Sequence, residues 1–200
     1  AASDVYKRQD TAFVQIVGSH TNVVRIEKNG EVLLNKPFSE EAAQPPESRR
    51  SLTVEDIIAF ADKVDLDDVR APIARQIEYN TAIAEAGLRG QYGAAIGKIL
   101  LDSYGDSVQN RAKAWAAAGS DARMNGCEKP VVINSGSGNQ GMTASLPVIV
   151  YARELKASEE QLYRALVLSN LIAIHQKTGL GRLSASVSYT HLTLPTKLEV

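Results

Sequence analysis

Ser135-Gly136-Ser137-Gly138-Asn139-Gln140-Gly141 is a run of polar residues and glycines between two strongly apolar segments. Glycines let the backbone approach a ligand closely, and N–H groups just ahead of a helix favour a carboxylate or a phosphate. Ser135, Ser137, Asn139 and Gln140 add side-chain donors, which makes them candidate substrate-binding residues. The spacing Gly136-x-Gly138-x-x-Gly141 also matches the dinucleotide fingerprint, which requires a second strand and an acidic residue about 20 positions on. Glu159 and Glu160 fall there, at the start of a helical pattern. A plain glycine-rich connector is the bland alternative. Cys127, eight residues before the run, either faces the same cavity or serves as a small buried hydrophobe. His175 and Lys177 close an apolar segment before Thr178-Gly179. They either complement a helix dipole or stand at the rim of the loop's cavity as candidate catalytic groups. His20, inside Gly18-Ser19-His20-Thr21-Asn22, interrupts a strand pattern and is a candidate for capping a turn or contacting a ligand.

The elements that must position these groups change character along the chain. Ala12 to Lys36 alternates with a period of two, and Asn29-Gly30 is the favoured dipeptide of a two-residue type I′ hairpin. That turn sets Lys28 opposite Glu31 and Ile26 opposite Leu33. Pro37 ends the strand, and Ser39 to Arg50, with Pro45-Pro46 and many charges, reads as a linker. Beyond it the apolar period becomes helical. Thr53 with Asp56, and Asp65 with Asp68, mark two helix starts, and Gly87 and Gly90 are expected to stop the second helix. Tyr92 to Tyr104 and Ser107 to Met124 continue the pattern, with Gly126 as a C-cap and Ala114 to Ala118 suited to tight helix packing. PVVIN is a short apolar, strand-like segment, after which a helix is expected from near Met142, bearing Pro147 either as a kink or in its first turns. Ser158 and Gln161 form a capping box ahead of a helix that is apolar almost all round from Ala165 to Ile174, and therefore buried.

The totals narrow the functional classes. With 22 Lys plus Arg against 23 Asp plus Glu, the net charge of −1 provides no sequence-wide attraction for nucleic acid or an anionic membrane. There is no apolar run of the roughly 18 residues a membrane span requires, so a cytoplasmic protein is the default expectation. A single cysteine rules out an intrachain disulfide framework and any metal site built from this chain's thiolates alone.

Four blocks carry a resemblance to a known family: GSHTNVVRIEKNGEVLL, DDVRAPIARQIEYNTAIAEAGLRG, ARMNGCEKPVVINSGSGNQGMTASLPV and LVLSNLIAIHQKTGLGRLSA. In order and length, over residues 12 to 185, they resemble the L-cysteine desulfidase and serine dehydratase α-subunit domain family. The resemblance implies a β-elimination lyase acting on a small amino acid, L-cysteine or L-serine, to give pyruvate, ammonia and sulfide or water. It further implies a 4Fe-4S cluster with one iron open to substrate, Cys127 as one cluster ligand, and NSGSGNQG as the substrate-anchoring loop. The family's next cysteine is expected just beyond Ala185, so this chain is expected to be an inactive internal fragment. The expected partner is the amino-acid substrate, with a homodimer as the candidate assembly. A non-catalytic amino-acid-binding module and a dinucleotide-dependent oxidoreductase are the other readings.

The expected organisation is α+β, with an N-terminal hairpin or small sheet followed by a mainly helical domain around a buried central helix. Residues 10–38 are assigned to a small α/β domain, 39–52 to the linker and 53–186 to an incomplete helical domain. Residues 1–9 (AASDVYKRQ) and 187–200 (VSYTHLTLPTKLEV) resemble translated adapter sequence, and are expected to be foreign, disordered tails.

Overall fold

The computed structural model describes residues 2–7, 10–17, 21–38 and 52–178. It divides into two compact units, one of residues 52–176 and one containing the N-terminal sheet. The architecture is α+β, as the change of period implies.

The sheet is antiparallel throughout, in the order β1 (Ala2–Lys7), β2 (Asp10–Ile16), β3 (Val23–Lys28) and β4 (Glu31–Asn35). Asn29 and Gly30, at φ +53° and +83°, turn the chain between β3 and β4 with Lys28 opposite Glu31. The pairing then slips between Ile26 and Glu27, so Ile26 faces Leu34 and not the expected Leu33. A bulge places an extra residue on one strand, and here it leaves Leu33 exposed. The N-terminal segment also departs from expectation. Ala2–Lys7, read as a disordered tail, pairs along β2 from Ala2↔Gln15 to Lys7↔Asp10. The open backbone groups of an edge strand accept an extended neighbour whatever its side-chain pattern, which is why no pattern announced it. The expected linker, His20 and the expected C-terminal tail fall outside the described residues, apart from Leu52 at the linker's end.

Six helices follow. Thr53 caps α1 (Val54–Lys63), its side chain accepting from the Asp56 N–H, and Asp65 caps α2 (Leu66–Arg89). Gly90 ends α2, but Gly87 does not. Gly87 lies inside the helix, where a Cβ would stand 2.1 Å from the Ala118 carbonyl oxygen. The helical pattern expected from Tyr92 becomes helix only at α3 (Ile96–Tyr104). Ser107 caps α4 (Val108–Met124), whose buried Ala112, Ala114, Ala118 and Ala122 let α2 and α3 approach closely.

The most buried helix is α5 (Gly138–Glu154), which contributes Met142, Leu146 and Ile149 to the core with no exposed surface. It begins four residues before the expected Met142 and runs through Pro147 in its interior. The Ser158/Gln161 box opens α6 (Glu159–Lys177), with Ser158 N–H to Gln161 Oε1 at 2.9 Å and Gln161 N–H to Ser158 Oγ at 3.2 Å. That last helix is not buried all round. It buries Tyr163, Leu166 and Val167, while Leu168 to His175 are half-buried. Its Arg164 donates to the Ala61 and Val64 carbonyls at 3.0 and 3.3 Å, which ties it to the end of α1. No helix among the described residues is long and apolar enough to cross a membrane.

Candidate functional site: a turn and helix start framed by buried amides

Residues Cys127–Ile133 lie between α4 and α5 with no strand pairing, so PVVIN is not the strand its composition suggested. Val132 bonds instead to a side chain. Its N–H donates to Asn80 Oδ1 at 2.8 Å, and its carbonyl accepts from Asn80 Nδ2 at 3.3 Å. A carboxamide offers a donor and an acceptor side by side, as a peptide group does. Asn80, fully buried on α2, therefore stands in for a neighbouring strand. Asn80 Nδ2 also donates to Ser145 Oγ at 2.9 Å, and Ser145 Oγ donates to the Gly141 carbonyl at 2.8 Å.

Immediately afterwards the chain reverses. Asn134 and Ser137 exchange both backbone hydrogen bonds at 3.0 Å, and Ser135 and Gly136 between them take φ +48° and +84°. Positive φ at both central residues is the signature of a type I′ turn. Ser137 leaves the turn in extended backbone and caps α5, its Oγ accepting from the Gln140 N–H at 3.3 Å. Gly141 is needed for closeness: a Cβ there would lie 2.1 Å from the Val132 carbonyl oxygen. No acidic residue occupies the first turn of α5, so its partial positive charge meets no local carboxylate.

A seam of neutral amides fixes this turn against α2 and α6. Gln76 Nε2 donates to Asn170 Oδ1 at 3.0 Å, and Asn170 Nδ2 returns a bond to Gln76 Oε1 at 2.7 Å. Asn134 Nδ2 donates to the Asn170 carbonyl at 3.1 Å and to Asn170 Oδ1 at 2.9 Å. Gln140 Nε2 donates to Asn134 Oδ1 at 3.3 Å and to the Ala173 carbonyl at 3.5 Å. The seam is not closed at every atom. Gln140 Oε1 and His175 Nδ1 are buried without a partner among the described residues. An unmatched buried acceptor costs about 1–3 kcal/mol, so a donor supplied by a ligand or water at Gln140 Oε1 would recover that cost.

The candidates named from sequence are distributed as follows. Ser135, Ser137, Asn139 and Gln140 come together at the turn and helix start. His175 lies on α6, two residues beyond the Ala173 carbonyl that Gln140 reaches. Cys127 sits past the end of α4, half-buried against the core. Its N–H closes the helix end on the Ala122 carbonyl at 3.0 Å, with Gly126 at φ +85°. Tyr92 is its neighbour. The hydrogen bond to Cys127, then the charge of that thiol, then burial push the Tyr92 phenol above its ordinary 10.0. Lys177 ends α6. It is only 5% exposed, and burial pushes its ammonium below the ordinary 10.5.

The dinucleotide reading fails on geometry. Its glycines follow no strand and open an antiparallel turn, and the segment after α5 is helix where a βαβ unit needs a second strand. Among the described residues there is also no group of three His, Cys, Asp or Glu side chains placed to hold a metal ion. A groove of about 580 Å³, lined by Pro147, Val148, Tyr151, Leu155 and Leu162, lies by the second half of α5, away from the turn.

Of the residues that frame the site, Asn134 opens the NSGSGNQG loop named from the resemblance, whereas Gln76, Asn80, Asn170 and Arg123 were not singled out from sequence. One signal was present. Gln76 and Asn80 share the ladder of Ile73, Ile83 and Ala84 on the buried side of α2, so two amides had to be satisfied inside.

The profile of the serine dehydratase alpha chain family matches residues 3–190. The chain belongs to that family. Within it, the chain is 59% identical over 172 residues to a UPF0597 protein of Desulfitobacterium hafniense, covering 86% of this chain and 40% of that one. It is 53% identical over 179 residues to a UPF0597 protein of Lachnoclostridium phytofermentans, covering 90% and 43%. A UPF0597 protein of Treponema denticola is 52% identical over 182 residues, covering 88% and 42%. This serine dehydratase alpha chain segment thus spans about two fifths of the length of the relatives it matches. No solved structure matches it.

Proposed function

We propose that the whole protein is a β-elimination lyase acting on L-cysteine or L-serine. The α-proton and the β-substituent leave, and the resulting enamine tautomerises and hydrolyses to pyruvate and ammonia, with sulfide or water as the other product. The observation that carries this reading is the framed turn: a chain of the serine dehydratase alpha chain family holds a capped, carboxylate-free helix start beside Ser135, Ser137, Asn139 and Gln140. In this reading the helix start receives the amino-acid carboxylate. Gln140 Oε1 offers an acceptor to the ammonium, and His175 and Lys177 are the candidates for moving the α-proton.

Family resemblance implies a 4Fe-4S cluster, a Lewis acid toward carboxylate and leaving group when bound. The donor set of this chain does not fit one. A cubane needs several thiolates, and Cys127 is the only cysteine in the 200 residues. The proposal therefore assigns Cys127 as one ligand in the whole protein, with the others supplied from outside this sequence.

The test is anaerobic reconstitution of the full-length protein with iron and sulfide, followed by incubation with L-cysteine and L-serine. Visible cluster absorbance and pyruvate release are expected. Tight binding without turnover would favour a non-catalytic amino-acid module. The 200-residue chain alone is expected to give neither absorbance nor pyruvate, and turnover by it would shift the chemistry from iron to His175, Lys177 or the loop.

A further inference from the structure

Arg123, in the last turn of α4, reaches the first turn of α5. Its Nη1 donates to Asn139 Oδ1 at 3.1 Å and to Met124 Sδ at 3.4 Å. The guanidinium takes the space a side chain at 138 would need: a Cβ on Gly138 would stand 2.3 Å from Arg123 Nε and 2.9 Å from Cδ and Cζ. Arg70, Arg111 and Arg164 each pair with a carboxylate, whereas Arg123 has no such partner among the described residues. A guanidinium only donates. The Asn139 atom facing it is therefore the amide oxygen, and the NH₂ is turned elsewhere, where it donates to none of the described residues.

We propose that Arg123 is a positioning residue for ligand recognition: it engages the Asn139 oxygen so that the amide presents its N–H donors, at the start of α5, to a carboxylate. An ammonium would have to share the Asn139 oxygen with a guanidinium already bonded to it, and the two like charges would repel. The uncompensated positive charges of the helix start and of the guanidinium favour the same ligand class. The choice of an amino-acid carboxylate as ligand rests on the function proposed above.

Asn139→Asp separates positioning from mere structure. A carboxylate at 139 keeps the link to Arg123 and adds charge to it, so a structural role predicts an undiminished melting temperature and undiminished affinity for L-serine. The positioning role predicts the same melting temperature with L-serine binding about 10- to 100-fold weaker, because an anionic acceptor replaces the donor. In the full-length protein, Arg123→Gln should raise KM more than it lowers kcat, and Arg123→Lys should restore part of the loss. Gly138→Ala should raise KM in the same way, by displacing the guanidinium while removing no polar group. A reading independent of turnover comes from the NMR signals of the Asn139 side-chain amide in the full 200-residue chain, titrated with L-serine and with L-serinamide. The expected result is a shift with L-serine and none with L-serinamide, which lacks the carboxylate. Signals unmoved by L-serine or moved equally by both, or wild-type L-serine affinity in Asn139→Asp, would overturn the proposal. A full-length protein that makes no pyruvate yet shows the expected shifts would sink the lyase reading and leave this one standing.

Discussion

Two turns in this protein share a backbone and little else. Asn29-Gly30 takes φ +53° and +83°, and Ser135-Gly136 takes φ +48° and +84°. The first joins β3 to β4 in the open. Its Asn29 side chain accepts from the Thr11 N–H at 2.7 Å and donates to Asp10 Oδ1 at 2.9 Å, so the turn is also stitched to β2. The second joins a segment without a strand partner to a helix. Its single pair of backbone bonds is followed at once by Ser137 acting as a cap. It is held by Asn80, Asn134 and Asn170 from inside the helical unit. The first turn is specified by its own Asn-Gly pair, with the bonds to β2 added to it, whereas the second leans on Asn80 and Asn170 from two other helices.

That contrast predicts unequal damage. Asn80→Ala should be the most disruptive change, costing about 3–5 kcal/mol, because it strands the N–H and C=O of Val132 and leaves a cavity. The fluorescence of Trp115, the single tryptophan, in urea unfolding would measure it. A loss below about 1 kcal/mol would mean that water replaces Asn80 and that the strand-substitute reading is wrong.

Paired glycine substitutions sharpen the comparison. Gly141→Ala drives a Cβ to 2.1 Å from a backbone oxygen, and should cost about 3 kcal/mol in the same assay. Gly30→Ala meets nothing within 4 Å, so only the positive φ resists it, at about 1–2 kcal/mol. Amide exchange in β3 and β4 would show that smaller loss. Equal costs would erase the distinction between a crowded glycine and a merely left-handed one.

Ser135→Asn runs the other way. Asparagine tolerates the left-handed region better than serine, so this change should stabilise the helical unit by about 0.5 kcal/mol if the turn is simply a turn. The smallest effect concerns the neighbour of Cys127. With Cys127→Ala the hydrogen bond that raises the Tyr92 phenol is gone, and its titration should fall back toward 10.0. The sign follows from linkage. A raised acid favours the folded state in its neutral form, so that contribution is present below pH 10.0 and is lost as pH rises through the folded value. The difference in ultraviolet phenolate titration between the parent and Tyr92→Phe, each with and without Cys127→Ala, isolates this one group.

Much of the scaffold was legible in residue order. Thr53, Asp65, Ser107 and Ser158 each cap the helix that follows them, because a cap is a bond between a side chain and a backbone N–H two or three residues on. Asn29-Gly30 was legible for the same reason. Gly87 resembles a helix stop in sequence, but its role is to let Ala118 approach, which involves a residue on another helix. Gly138 and Gly141 suggested a dinucleotide loop, yet one makes room for Arg123 and the other for Val132.

Residue order alone therefore determined the antiparallel hairpin, the starts of α1, α2, α4 and α6, and the family to which the chain belongs. These depend on interactions within a few residues, or on a pattern of identities that needs no coordinates. The tertiary packing settled that PVVIN is paired to a side chain and not to a strand, that α5 and not α6 is the central buried helix, and that Asn139 turns its oxygen to Arg123. Each of those outcomes depends on a partner far away in the chain: Asn80 for Val132, the core around Leu146 for α5, and Arg123 for Asn139. A buried amide or a close glycine gains its energy only when the distant group is within hydrogen-bond or contact distance.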